Sequence, residues 1–334
     1  MKKVIWLILI AVAAGGGWFA WAVLTPVAPA GQVFVLLHPG YSTRRIATEL
    51  KSAGVIQSEE AFVLWHYLHR KRSLKAGEYL FDKPANIIDI QRRIGHGDVY
   101  FHTVVVPEGF TMFDVARAVE AAGLGSAEDF LKVAKSDTGL VSDIDPAAQS
   151  LEGYLFPETY EFTRMMTMQE MAAAMVKQFR EVARQIGMMA DPAGISMPTP
   201  HEIVTMASIV EKETAVPEER PTVASVYYNR LEKKIALDAD PSIIYAELLA
   251  GTYQGALHHD DMRFDSPYNT YRRTGLPPGP IGNPGRSALE AAMHPAQSDY
   301  FYFVADAQGH HRFARSIEEH NKNVAAYRKA MRQR

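Results

Sequence analysis

The 334-residue chain contains no cysteine. That absence excludes a disulfide framework, thiol catalysis and zinc–thiolate sites together. The chain also lacks an excess of charge of either sign: 35 Lys and Arg stand against 38 Asp and Glu, a formal net charge of −3. No positive field is available to gather nucleic acid, so no nucleic-acid partner is expected. There is no His-Glu-x-x-His spacing, and neither Ser208 nor Ser225 sits in an activating local signature, which removes the zinc-protease and serine-hydrolase patterns. Of the twelve histidines, His258-His259-Asp260-Asp261 and His310-His311 are adjacent on polar stretches rather than convergently spaced. Neither metal nor cofactor is expected.

What is present begins with an apolar run. Residues 4–24, VIWLILIAVAAGGGWFAWAVL, carry no charge, and at about 1.5 Å of rise per residue such a helix matches a hydrocarbon core of about 30 Å. Lys2 and Lys3 precede it and the next charge is Arg44. The positive-inside bias therefore predicts residues 1–3 in the cytoplasm, one crossing of the cytoplasmic (inner) membrane, and the remainder outside, in a periplasmic or other extracytoplasmic space. Trp18 and Trp21 fall toward the outer interface. A cleaved signal peptide is the competing reading, but the run exceeds the usual apolar core and Ala28-Pro29-Ala30 is a poor cleavage site.

After a linker at 25–31, the β-branched run at 33–37 predicts a strand, Ser42-Thr43 opens a helix to about Ser52, Ser58 caps a second helix to about His69, and 74–81 predicts a returning strand. Strand, helix, helix, strand over residues 32–100 resembles a LysM module, a small carbohydrate-binding unit; a plain spacer would show the same order. Residues 101–150 are expected to connect, with a strand at 103–106 and a helix from Thr111 to Ala122, and the main boundary is placed near Ser150. Residues 151–334, about 47% of the whole chain being hydrophobic, suffice for a larger mixed α/β catalytic domain, giving an α+β chain overall. Its predicted helices are 167–188, 201–213 and 219–232, with a strand at 300–304 and a last helix capped by Ser316. The stretch 274–285 is dense in Gly and Pro, as in a long loop of restricted conformation.

The segment His201-Glu-Ile-Val-Thr-Met-Ala-Ser-Ile-Val-Glu-Lys-Glu-Thr214 reads as a helix with a broad apolar arc. At about 100° per residue Lys212 falls opposite that arc, and Glu211 and Glu213 fall on its two edges. A carboxyl there can be partly desolvated, which raises its pKa toward that of a general acid working near neutral pH. The same spacing also suits two solvated flank residues paired with Lys212 or Arg220.

Several ordered motifs add a resemblance: Ala207-Ser-Ile-Val-Glu-Lys-Glu-Thr214, Val223-Ala-Ser-Val-Tyr-Tyr-Asn-Arg230, Asp240-Pro-Ser-Ile-Ile-Tyr245, Tyr268-Asn-Thr-Tyr271, Thr274-Gly-Leu-Pro-Pro-Gly279 and His294-Pro295, with Leu151-Glu-Gly-Tyr-Leu-Phe-Pro-Glu-Thr-Tyr160 and Lys75-Ala-Gly-Glu-Tyr79 upstream. Together they resemble the endolytic murein transglycosylase (MltG, YceG-like) family over nearly the whole chain. The resemblance implies a lyase that cuts the MurNAc–GlcNAc bond of peptidoglycan glycan strands and leaves a 1,6-anhydro end. It implies Glu213 as the catalytic residue, with Glu211 as the fallback. It places Asn229, Asp240, Tyr268, Asn269 and Tyr271 in motifs that line the substrate cleft, without fixing their roles, and it suggests peptidoglycan synthases as partners. Glu152 and Glu158 are expected to cap, bond a loop or pack. A two-carboxylate hydrolase, pairing Glu213 with Asp240 or Glu152, and a non-catalytic wall-binding anchor are the alternatives.

Overall fold

The computed structural model describes residues 1–69, 73–189 and 198–332. The chain divides into two compact units, 1–102 with 161–166, and 103–160 with 167–334. The division thus falls earlier than the expected boundary near Ser150: residues 103–150 cluster with the later chain instead of standing as a connector.

In the first unit, α1 (Lys2–Leu24) is followed by β1 (Val33–Leu37), α2 (Thr43–Ser52), α3 (Glu59–Leu68), β2 (Gly77–Phe81) and α4 (Ile87–His96). α1 is long and apolar enough to cross a membrane, with a mean hydropathy of 2.1, which is consistent with a single-pass anchor. β1 and β2 pair antiparallel, Val33 opposite Phe81 and Leu37 opposite Gly77. Ser42 and Ser58 accept hydrogen bonds from the Arg45 and Ala61 amides and so start α2 and α3. The expected strand, helix, helix, strand order is therefore present. α4 was not among the expectations, although Asn86 caps it and Ile87, Ile90 and Ile94 are buried at helical spacing. The core of this unit gathers Leu37, Leu50, Phe62, Tyr79 and Ile94, and also takes in Ala22 and Val23 from the end of α1. Phe19 approaches Trp65 of α3, with ring centroids 6.4 Å apart.

The chain crosses between the units at β3 (His102–Val105) and β4 (Thr159–Phe162). Between them lie α5 (Met112–Ala121) and α6 (Ala127–Ser136), the latter capped by Ser126 and burying Phe130 and Ala134. There follow α7 (Met168–Gln185), α8 (Pro200–Glu213), α9 (Arg220–Glu232), α10 (Asp240–Ala250), α11 (Arg286–Met293), the hairpin β5 (Tyr302–Ala305) and β6 (His311–Ala314), and α12 (Ile317–Met331). α8 carries the site. Thr199 caps it in a reciprocal box with Glu202, Pro200 occupies its first turn, and Ile203 to Val210 are all buried. It packs against α9, α10 and α11. A helix buried almost all round cannot shift without opening the core, so its C-terminal residues are rigidly presented.

The Gly- and Pro-dense loop at 274–285 is fastened at several points. Asn283, fully buried, donates through Nδ2 to Phe110 O (2.8 Å) and Glu152 (3.0 Å) and accepts from the Leu155 amide at 2.9 Å. Ser208 accepts from the Ile281 amide at 3.0 Å. His201 bonds Pro278 O (3.0 Å) through Nε2 and Asp145 (2.6 Å) through Nδ1. A carbonyl and a carboxylate both need donors, so His201 carries protons on both nitrogens, and these bonds raise its pKa against the opposing effect of burial.

Candidate active site

The two glutamates at the end of α8 occupy different surroundings. The buried Glu211 carboxylate accepts from Arg220 Nη2 at 2.5 Å and from the Gly285 amide at 2.9 Å. Arg220 also reaches Glu108 at 3.2 Å. A Cβ on Gly285 would lie 1.8 Å from Glu108 Oε1, so only glycine lets that carboxylate approach. Glu211 thus serves a buried ion network that ties α8, α9 and the loop together. Lys212 is exposed and donates to Gly109 O at 3.1 Å.

Glu213 turns the other way, into a cavity of about 380 Å³. No ion pair engages it among the described residues. Burial pushes its pKa up to about 7; a hydrogen bond from the Tyr227 hydroxyl opposes this and the nearby charge of Asp240 adds to it. Glu213 is therefore close to half protonated at neutral pH, able both to give and to take a proton.

Besides Glu213 and Tyr271, the cavity wall is built from three regions of the second unit. α9 contributes Tyr227 and Arg230, one face of a helix three residues apart. Asp238 and Asp240 come from the turn into α10, and Tyr302, Phe303 and His320 from the C-terminal hairpin and helix. Asp238 has a left-handed backbone (φ 52°), a conformation Asp tolerates better than most. Arg230 bonds Asp238, donates to Ala236 O (2.7 Å) and Phe301 O (3.1 Å), and lies 5.5 Å from the centroid of Tyr302. It holds the wall together with most of its donors already used.

Of the residues expected in the cleft, Asp240 and Tyr271 line the cavity beside Glu213, and the Tyr271 hydroxyl donates to Asp240 at 2.6 Å. Asn229, Tyr268 and Asn269 are outside the lining. Asn229 points away on α9 and donates to Ser298 O and Tyr300 O, both at 2.9 Å, holding the approach to β5. Fully buried Asn269 donates to Met262 O and Phe264 O and accepts from the Tyr271 amide at 3.0 Å. It shapes the loop that presents Tyr271. Tyr268 packs at a tilt against Tyr245, with centroids 5.1 Å apart, and burial pushes its hydroxyl up to about 12. Tyr227 and Arg230 share the 223–230 motif with Asn229. His320 lay outside every motif quoted, with no neighbouring residue to mark it.

The other candidates have structural roles. Glu152 is buried, away from the cavity, and accepts from the Met112 amide that opens α5. Glu158 is exposed and accepts from the Thr159 amide. The Ser208 hydroxyl donates to Thr205 O at 2.7 Å and that of Ser225 to Thr222 O at 2.7 Å. His310 and His311 both bond Glu219, at 3.1 and 2.7 Å. Burial pushes Glu219 up, and these partners outweigh it and bring its pKa below the ordinary value. Among the described residues, no three His, Asp or Glu side chains are placed to hold a metal.

A carboxyl raised by burial to about 7, in a cleft walled by tyrosines and two aspartates, has the properties general acid–base chemistry requires. The chain belongs to the YceG-like family, whose model matches residues 35–326. It is 33% identical to the "endolytic murein transglycosylase" of Bacillus subtilis (strain 168) over 331 residues, 93% of this chain and 90% of that protein. It is 29% identical to the protein of that name from Streptococcus pneumoniae (strain ATCC BAA-255 / R6), covering 96% of this chain and 64% of the longer relative. A crystal structure of a YceG-like protein from Listeria monocytogenes superimposes with a TM-score of 0.58 at 32% identity, over 87% of this chain and 98% of that one.

Proposed function

We propose that this protein is an endolytic peptidoglycan lytic transglycosylase, with Glu213 as its one acid–base group. The observation that carries the proposal is a carboxyl raised to about 7 by desolvation, free of any ion pair among the described residues and open to a cleft. The relatives' shared name supplies the substrate class.

In the first step the Glu213 carboxylic acid donates its proton to the glycosidic oxygen as the bond from that oxygen to the muramyl anomeric carbon breaks. The resulting carboxylate then takes the proton of the muramyl 6-hydroxyl, whose oxygen bonds the anomeric carbon and closes the 1,6-anhydro ring. Glu213 ends protonated, as it began, and no water is consumed. The two steps require opposite protonation states of one residue, and a pKa near 7 keeps both accessible. The aspartates can accept bonds from sugar hydroxyls, and Tyr302 and Phe303 can pack on a sugar face.

Digestion of purified peptidoglycan by the full chain in detergent, wild type and Glu213→Gln, tests this by mass spectrometry of the products. Anhydro-muramyl ends from the wild type alone support it. Reducing ends would favour the two-carboxylate hydrolase, the reading that gains from Asp240 sharing the cavity. An uncut wall that still binds both proteins would leave a binding anchor.

The proposal extends to the first unit and to topology. The order of β1, α2, α3 and β2 supports a LysM-like glycan-binding role, which predicts weaker retention on insoluble peptidoglycan when residues 32–100 are deleted. Lys2 and Lys3 before α1 support a cytoplasmic N-terminus with both units outside, in the periplasm or its equivalent. Placement on nascent strands suggests a peptidoglycan synthase as partner, testable by co-purification from solubilised membranes.

A further inference from the structure

His320 of α12 lines the cavity that holds Glu213. Its ring stacks on Tyr302, with centroids 5.3 Å apart and planes 28° from parallel. Its Nδ1 is buried and has no hydrogen-bond partner among the described residues, whereas Nε2 is not sealed off in that way. Burial, then the charge of Arg230, favours the uncharged ring. A neutral imidazole carries one proton, on one nitrogen or the other. An orphaned buried N–H is rarer than an orphaned acceptor, so the proton belongs on Nε2.

Most other donors of the wall are committed. Tyr227 donates to Glu213, Tyr271 to Asp240, and Arg230 to Ala236 O, Phe301 O and Asp238. The remaining polar lining is the Tyr302 hydroxyl and the carboxyl groups of Glu213, Asp238 and Asp240; the carboxylates accept from sugar hydroxyls. Ionised carboxylates offer nothing to a group that can only accept, which leaves His320 and the Tyr302 hydroxyl it stacks beside as its donors. In a strand of N-acetylated sugars that group is an amide carbonyl.

We propose that His320, as its Nε2–H tautomer, donates a hydrogen bond to the acetamido carbonyl oxygen of the sugar bound in this cleft, and so makes the site selective for N-acetylated glycan. The proposal rests on the glycan-cleaving reading of the cavity. Loss of that reading would show separately, as cleavage undiminished in Glu213→Gln.

The test compares kcat/KM of full-length wild type, His320→Phe and His320→Gln on N-acetylated and chemically de-N-acetylated strands. Phe keeps a ring to stack on Tyr302 and removes the donor; Gln keeps a donor. On N-acetylated strands His320→Phe should lose roughly 3- to 10-fold, the effect of one neutral hydrogen bond, and His320→Gln should recover part of it. On de-N-acetylated strands the wild type should fall and His320→Phe should lose nothing further. An equal loss on both substrates, or no loss on either, overturns the proposal. So does a penalty that disappears on strands stripped of their peptides, which would assign the donor to a peptide amide instead. Nitrogen-15 NMR of His320 in the wild-type chain gives a readout independent of how the variants fold: a proton on Nε2 is expected, and a proton on Nδ1 overturns the assignment.

Discussion

Arg220 donates a 2.5 Å hydrogen bond to Glu211, and neither it nor any other cation pairs with Glu213 among the described residues. Two acids separated by one lysine on the same helix end therefore have separate duties. Removing the Glu211 charge leaves Arg220 buried with only the half-exposed Glu108 to answer it, and breaking a buried pair in this way costs about 3 kcal/mol. Glu211→Gln should accordingly lower the unfolding free energy by that order, while Glu213→Gln should leave the fold as stable as wild type or better and reduce cleavage by about 100-fold or more. Chemical denaturation and a product assay check both. A fully stable Glu211→Gln that has lost activity as completely as Glu213→Gln would contradict this division.

The pH profile of cleavage should follow Glu213. The reaction begins from the protonated acid, so kcat/KM should fall as pH rises through about 7. Asp240 raises this pKa by its charge, so Asp240→Asn should move the falling limb to lower pH. Tyr227 stabilises the ionised form by its hydrogen bond, so Tyr227→Phe should move the limb to higher pH. Profiles of the three proteins, measured at constant ionic strength, decide the matter; limbs that stay together would remove Glu213 as the titrating group.

Stability should carry a different pH dependence through Glu152. Burial pushes its carboxyl up to about 8, against bonds from the Met112 amide and Tyr245 that lower it. With the folded pKa above the unfolded value of 4.5, the unfolded chain ionises first and the folded state binds more protons across that interval. The stability associated with Glu152 is fully present below about 4.5 and is lost as pH rises through about 8. Melting temperatures of wild type and Glu152→Gln between pH 5 and 8.5 should converge or cross toward high pH. A constant separation would refute the buried, protonated acid.

His201 adds a second contribution of the same sign. Its bonds to Asp145 and Pro278 O raise its folded pKa, so their stabilisation is fully present below the unfolded value of about 6.5 and fades as pH rises through the higher folded one. His201→Gln should destabilise the chain more at pH 6 than at pH 9. Equal losses at both pH values would mean that His201 acts only through packing.

The loop at 274–285 should depend on Asn283. Asn283→Ala would leave the Leu155 amide without its acceptor and take one donor each from Phe110 O and Glu152, which keep the backbone amides of residue 283 and Met112. An unsatisfied buried amide costs about 1–3 kcal/mol, so a loss of that order is expected, read by denaturant titration. A loss below about 1 kcal/mol would show that the loop is held elsewhere.

Local patterns fixed much of the chain before any packing is considered. The charge-free run at 4–24 sets the apolar helix α1. Serine and threonine caps set the starts of α2, α3, α5 and α12, and the apolar arc of residues 203–210 sets α8 and puts Glu211 and Glu213 on its edges. These signals act within a few residues, so they survive being read one segment at a time. α4 carries the same kind of signal in its Asn86 cap and the helical spacing of Ile87, Ile90 and Ile94.

Helical spacing left the two edges of α8 equivalent and the family resemblance favoured Glu213; only the tertiary structure gives the two edges different surroundings. Arg220, nine residues on, and the Gly285 amide, seventy-four residues on, neutralise Glu211; Tyr227, Asp240 and the hairpin with α12 close around Glu213. It likewise turned Asn229 to the scaffold and Tyr227 and Arg230 to the cavity, though all three share one motif, and it brought His320 to a site it shares no sequence neighbourhood with. Desolvation and charge pairing depend on groups distant in the chain, and spacing along one helix carries no record of them.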